Sequence, residues 1–91
     1  MAVEVRIPTI LRTHTSGEKI VQGSGDTLQA LFTDLDSRHN GLAGRVITAE
    51  GGLHRFVNVY VNDEDVRFTG GLGTTLKDGD SVTILPAVAG G

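Results

Sequence analysis

The stretch DTLQALFTDLDSRHNG, residues 26–41, decides the fold. Leu28, Leu31, Phe32 and Leu35 fall at i, i+3, i+4 and i+7, which gives an α-helix one apolar stripe. Asp26 stands where an N-cap is needed, and Gln29 three residues on fits a capping box. Asn40-Gly41 supplies residues that tolerate the left-handed conformation and so ends the helix. A single helix of about three turns has to bury that stripe against another layer. The flanking sequence says the layer is a sheet.

Upstream, Val3, Val5 and Ile7 alternate with Glu4 and Arg6, the period-2 pattern of a strand with one buried face. Pro8 removes a donor, so the strand bends there or lies at an edge. Thr13 to Gly17 is turn chemistry, Glu18 to Gln22 returns as a second strand, and Gly23-Ser24-Gly25 breaks the pattern before the helix. Downstream the signal weakens from Gly41 to His54, where Leu42, Val46 and Ile47 suit a short helical turn. Residues 56–61 (FVNVYV) form a strong strand with Val57, Val59 and Val61 on one face. Asn62 to Asp65 is expected as a turn, Val66 to Phe68 as a short return strand, and Thr69 to Thr75 as a glycine-rich connection. Lys77-Asp78-Gly79-Asp80 makes a tight turn into a last strand, Ser81 to Leu85, which Pro86 ends.

The order of elements predicts an α+β fold with a mixed sheet of about five strands packed on one main helix. The first and last strands would pair in parallel at its centre, a β-grasp arrangement. Val82 and Ile84 would then face the helix, with Thr83 and Leu85 outward. Residues 1–86 form the domain, and residues 87–91 a flexible tail ending in Gly-Gly.

Composition narrows the chemistry. None of the 91 residues is cysteine, which excludes disulfides, thiolate metal sites and a cysteine nucleophile. The net charge is -3 and the eight Lys and Arg residues are scattered along the chain, so no basic run favours nucleic acid. No secretory leader or membrane-spanning apolar stretch is visible, and the expectation is a cytoplasmic protein without a membrane partner. His14, His39 and His54 are too far apart in sequence for a helical metal pair, and the serines lack a nucleophile-elbow context. Asp63-Glu64-Asp65 and the pair Asp78 and Asp80 lack the pattern of a calcium loop and suit turns instead. Gly70-Gly71-Leu72-Gly73 lacks the GK[ST] of a phosphate loop and is read as a tight crossover under the sheet. No catalytic residue, metal ligand or bound cofactor is expected.

The tail is the distinctive feature. A strand and a proline lead into Ala87-Val88-Ala89-Gly90-Gly91, five uncharged residues that extend about 17 Å. Two residues without a Cβ pass a narrow channel and leave a terminal carbonyl open to attack.

Residues 63–91 (DEDVRFTGGLGTTLKDGDSVTILPAVAGG) resemble the C-terminal half of the ThiS/MoaD sulfur carriers, ubiquitin-like β-grasp proteins. The turn Lys77 to Asp80, the step Leu85-Pro86 and the terminal Gly90-Gly91 carry the likeness. Ile7 to Arg12 and Leu53 to Val66 resemble the actinobacterial branch that serves thiocarboxylate-dependent cysteine synthesis. The resemblance implies that Gly91 carries the sulfur, that Gly90, Ala89 and Val88 give clearance, and that the chain itself catalyses nothing. It implies an adenylating, E1-like activating enzyme that consumes ATP. It also implies a sulfur-accepting enzyme, either a PLP-dependent cysteine synthase or a thiazole-synthase-like enzyme, and a metallopeptidase that releases the product. Strand parity makes Leu85 and Pro86 the candidate docking residues. Conjugation to lysines and a β-grasp adaptor that never uses its C-terminus remain open alternatives.

Overall fold

The computed structural model describes residues 2–55 and 57–86. Within them, β1 (Val3–Arg6), β2 (Ile20–Gly23), β3 (Val57–Val61), β4 (Glu64–Asp65) and β5 (Ser81–Pro86) form one sheet in the order β2-β1-β5-β3-β4. β1 and β5 are parallel, with Val5 opposite Val82, and the other neighbouring pairs are antiparallel. The sheet packs on α1 (Leu28–Arg38), and a short α2 (Leu42–Val46) follows. This is the β-grasp arrangement.

The alternation in sequence becomes the core. Val3, Val5, Val57, Val59, Val82 and Ile84 point inward and are buried against Leu28, Leu31, Phe32 and Leu35 of α1. Each such aliphatic or aromatic side chain contributes about 1.5–3 kcal/mol on burial. β2 comes especially close to the helix, because a Cβ at Gly23 would stand 2.5 Å from Leu31 Cδ1. Gly23 therefore separates strand from helix and also lets the two layers touch.

Several local expectations change. The helix N-cap is Thr27, whose Oγ1 accepts from Ala30 N at 3.2 Å, so the Asp26–Gln29 capping box does not form. Thr27 is held extended by a bridge to Thr75, and Asp26 O instead accepts from Leu76 N at 2.9 Å. The helix ends at Arg38 with His39 as C-cap, while Gly41, at φ 90°, opens α2. β1 is internal, and Pro8 bends the chain into a 3-10 helix at Thr9–Thr15. The hairpin after β3 turns on Asn62 and Asp63 alone, both at positive φ, so the return strand is Glu64–Asp65. Val66–Phe68, expected as strand, is a 3-10 turn because the Asp65 side chain accepts from Arg67 N. The glycine-rich segment crosses beside the N-terminus of α1 rather than under the sheet: Leu28 N donates to Thr74 O at 3.0 Å. Pro86 is the last residue of β5, in register with Val57.

Candidate functional site at the end of β5

β5 is paired with β1 from Ser81 to Thr83 and with β3 from Val82 to Pro86, so its C-terminal end is held by β3 alone. The side chains around that end form the candidate site. Leu85 is 45% exposed on the outer face of the sheet, as strand parity predicted, and Pro86 beside it is exposed. Gly91, Gly90, Ala89 and Val88 lie outside the described residues.

The fold adds residues that parity along β5 did not reveal. Ile20 opens β2 beside Arg6 and is 46% exposed. A groove of about 360 Å³ runs between the ends of β1, β2 and β5, lined by Arg6, Arg12, Lys19, Ile20, Thr83 and Leu85. On the other flank, Asn58 is in register with Leu85, and the Arg67 guanidinium bonds the Asn58 side chain and Val57 O. That guanidinium takes the place of a neighbouring strand on the part of β3 that two-residue β4 leaves uncovered. Phe68 beside it is 88% exposed.

Four cations scattered in sequence, at positions 6, 12, 19 and 67, thus collect around one strand end. Scatter along the chain does not carry over to the surface at this strand end. Alternation in the first hairpin carried the signal: Arg6 is out of phase with buried Val5 and Ile7, and Ile20 with buried Val21. Two of the cations have acidic neighbours, Arg6 with Glu4 at 3.6 Å and Arg67 with Asp65 at 3.8 Å. The Arg6–Glu4 pair is exposed and of small energetic value, so Arg6 stays available to a partner, whereas Arg67 is committed to Asn58 and Val57 O.

The opposite end of β5 differs in sign and in chemistry. Asn62 Nδ2 donates to Asp80 Oδ1 at 2.9 Å, Lys77 N to Asp80 Oδ2 at 2.8 Å, and Ala2 N to Asp78 Oδ1 at 2.7 Å. The Asn62 amide, followed by the Lys77 N–H, holds the Asp80 carboxyl below the ordinary aspartate range. These aspartates close turns, as their positions in sequence suggested. Asp34 is lowered in the same way, first by the Ser24 N–H and then by Arg38. No group of three His, Asp or Glu side chains suits a metal ion among the described residues, and none of their helices is long and apolar enough to cross a membrane. His14, His39 and His54 sit on the 3-10 helix, at the C-cap of α1 and in the loop before β3.

The arrangement sets an apolar step at Leu85 beside a basic rim. Comparison with known proteins agrees in extent. The ThiS family matches residues 5–91. The chain is 62% identical to the sulfur carrier protein CysO of Mycobacterium tuberculosis, with both chains covered in full. It is 42% identical to the small archaeal modifier protein 3 of Haloferax volcanii, again over both full lengths. Among solved structures, it superposes with a TM-score of 0.92 on a chain of the Amycolatopsis orientalis BexX/CysO complex, at 62% identity, covering 99% of this chain and 100% of that one. The chain belongs to the ThiS family.

Proposed function

We propose that this protein is a sulfur carrier whose terminal Gly91 carboxylate is activated and exchanged for a thiocarboxylate. At pH 7 a terminal carboxyl is ionised, with a reference pKa of about 3.3–3.7, and a carboxylate is a poor electrophile. An activating enzyme therefore joins it to the AMP moiety of ATP and releases pyrophosphate. A sulfur nucleophile then attacks the acyl carbon, and AMP leaves with the bonding pair. The chain supplies the acyl group and the docking surface, while the chemistry belongs to its partners.

The full-length likeness to a sulfur carrier carries this reading. The end of β5 supports it, because a central strand paired with β3 through Pro86 leads into the tail beside exposed Leu85. The acceptor we favour is a PLP enzyme of cysteine biosynthesis, to which the loaded tail gives its sulfur. A metallopeptidase then frees the product. Leu85, Pro86 and the basic rim dock on the activating enzyme, with Gly90, Ala89 and Val88 spanning its channel.

Intact-protein mass spectrometry after incubation with ATP, an activating enzyme and a sulfide source tests the proposal. Replacement of one oxygen by sulfur at Gly91 is the expected result, and an unchanged mass under conditions that load a known carrier overturns it. The likeness to a small archaeal modifier favours a second reading, conjugation to lysines, which would appear as adducts on target lysines.

A further inference from the structure

β5 outlasts one of its two neighbours. β1 ends at Arg6, opposite Thr83, whereas β3 accompanies β5 as far as Pro86. A single residue accounts for the difference. In the parallel ladder Glu4 N donates to Asp80 O at 3.1 Å, one residue before its register partner Ser81. Alternate residues of β1 face β5 in this way, so the ladder calls for residue 8 to donate to Ile84 O. Residue 8 is proline and has no N–H to give. The chain turns away there into the 3-10 helix Thr9–Thr15, which leaves a notch beside the last residues of β5. That notch is the groove of about 360 Å³, with Pro8 and Ile84 in its walls. Ile20 and Leu85 line it and are both about half exposed. Arg6, Arg12 and Lys19 line it too, and among the described residues no Asp or Glu does. Arg12 Nε is committed to Ile7 O at 3.1 Å, but Arg6 and Lys19 are exposed. In a chain of net charge -3, the notch is a local reversal of sign.

We infer that the notch receives an extended, acidic segment of the activating enzyme, laid beside β5 where β1 turns away. The segment is extended because the group left over is a backbone acceptor at a strand edge, which the backbone N–H of an added strand satisfies. It is acidic because Arg6 and Lys19 attract carboxylates, with Glu4 as the one acidic neighbour, 3.6 Å from Arg6. An apolar side chain of the segment, seated between Ile20 and Leu85, covers area that is otherwise exposed to water. A symmetric pair of copies fits less well, since it would set these cations against their own counterparts. The inference rests on the activating enzyme proposed above and adds the chemistry of the segment that the enzyme inserts. Pro8 is then more than the residue that ends β1: it keeps the edge of β5 open for a partner.

Calorimetric titration of the full chain with the activating enzyme, joined to NMR of the complex, tests this. Kd should rise about tenfold as sodium chloride increases from about 50 to about 300 mM. Arg6→Glu and Lys19→Glu should each raise Kd about tenfold at the lower salt. Lys77→Glu, in the turn at the opposite end of β5, should change it less than about twofold. Thermal melting verifies that each variant is folded. On saturation with enzyme the carbonyl-carbon resonance of Ile84 should move downfield, the sign of a new hydrogen bond. Absence of binding, a Kd indifferent to salt and to both reversals, or an Ile84 carbonyl unmoved at saturation overturns the inference. An equal loss with Lys77→Glu overturns it too, because the attraction would then be general and not seated at the notch. So does an Ile84 shift that appears on concentrating the chain alone, which would assign the notch to a second copy. Mass spectrometry reads sulfur loading separately. A chain that binds as described but is never loaded fails only the sulfur reading, and one that is loaded without these signatures fails only this inference.

Discussion

The two ends of β5 are built on opposite principles. At its start, Asn62, Lys77, Asp80 and Ser81 lock the turns together: Asn62 donates to Asp80, accepts from Ser81 N, and gives its own N–H to Ser81 O. At its finish, Leu85, Ile20 and Phe68 stand exposed amid Arg6, Arg12, Lys19 and Arg67. The start spends its polar groups on the fold and leaves little for a partner. The finish leaves apolar area exposed amid positive charge, of which Arg12 and Arg67 also bond backbone carbonyls. One strand therefore ends in a hydrogen-bonded turn at one pole and in exposed apolar side chains among cations at the other.

The comparison breaks most sharply at the tail. Deleting Gly91 should abolish sulfur loading, read by mass spectrometry, while the melting temperature stays within a degree or two, since surface changes rarely exceed ~0.5 kcal/mol. Loading by the shortened chain would show that the end of β5 is not the reactive pole. Next in size, Leu85→Asp should lower kcat/KM of the activating enzyme for this carrier by about 10–100-fold, equivalent to ~1.4–2.7 kcal/mol. Unfolding midpoints in denaturant should barely move, and adenylation kinetics equal to wild type would remove Leu85 from the docking surface.

At the other pole the pattern should invert. Asn62→Ala removes two side-chain hydrogen bonds and places alanine at φ 50°. A loss of roughly 2–3 kcal/mol in folding stability follows from those bonds and the left-handed backbone. Adenylation kinetics of the folded fraction should be unaffected. An altered kcat/KM at unchanged stability would mean that the turn pole also meets the partner.

The smallest effect concerns acid. Because the folded protein holds Asp80 below its ordinary pKa, its contribution is fully present above the unfolded value of about 4. It is lost as pH falls through the lower folded value. Denaturant titrations between pH 5 and pH 2 should show Asp80→Asn losing less stability than wild type across that window. Asp34 is depressed as well and contributes in the same direction. Equal slopes for wild type and variant would separate Asp80 from the acid sensitivity of the turn pole.

Much of this was legible in the residues. The stripe Leu28, Leu31, Phe32 and Leu35 and the alternations 3–7, 57–61 and 82–84 gave the helix, the central strands and the core, because burial periodicity survives any tertiary context. Boundaries slipped where a long-range partner decided them. Thr27 became the cap because Thr75 holds it extended, and the hairpin after β3 shortened because Asn62 and Asp63 both take the left-handed backbone. Leu85 was readable from parity, but Phe68 was not, since its exposure follows from a turn set by the Asp65 side chain.

The sequence by itself determined a cysteine-free β-grasp chain of net charge -3 ending in Gly-Gly, because composition and alternation are local properties. Only the tertiary structure decided that arginines and a lysine far apart in the chain surround one strand end. It also decided that Ile20 joins Leu85 there and that Arg45 and His54 line one inner cleft. The reason is physical: charge and exposed apolar area act through space, and sheet pairing, not distance along the chain, sets which side chains share that space.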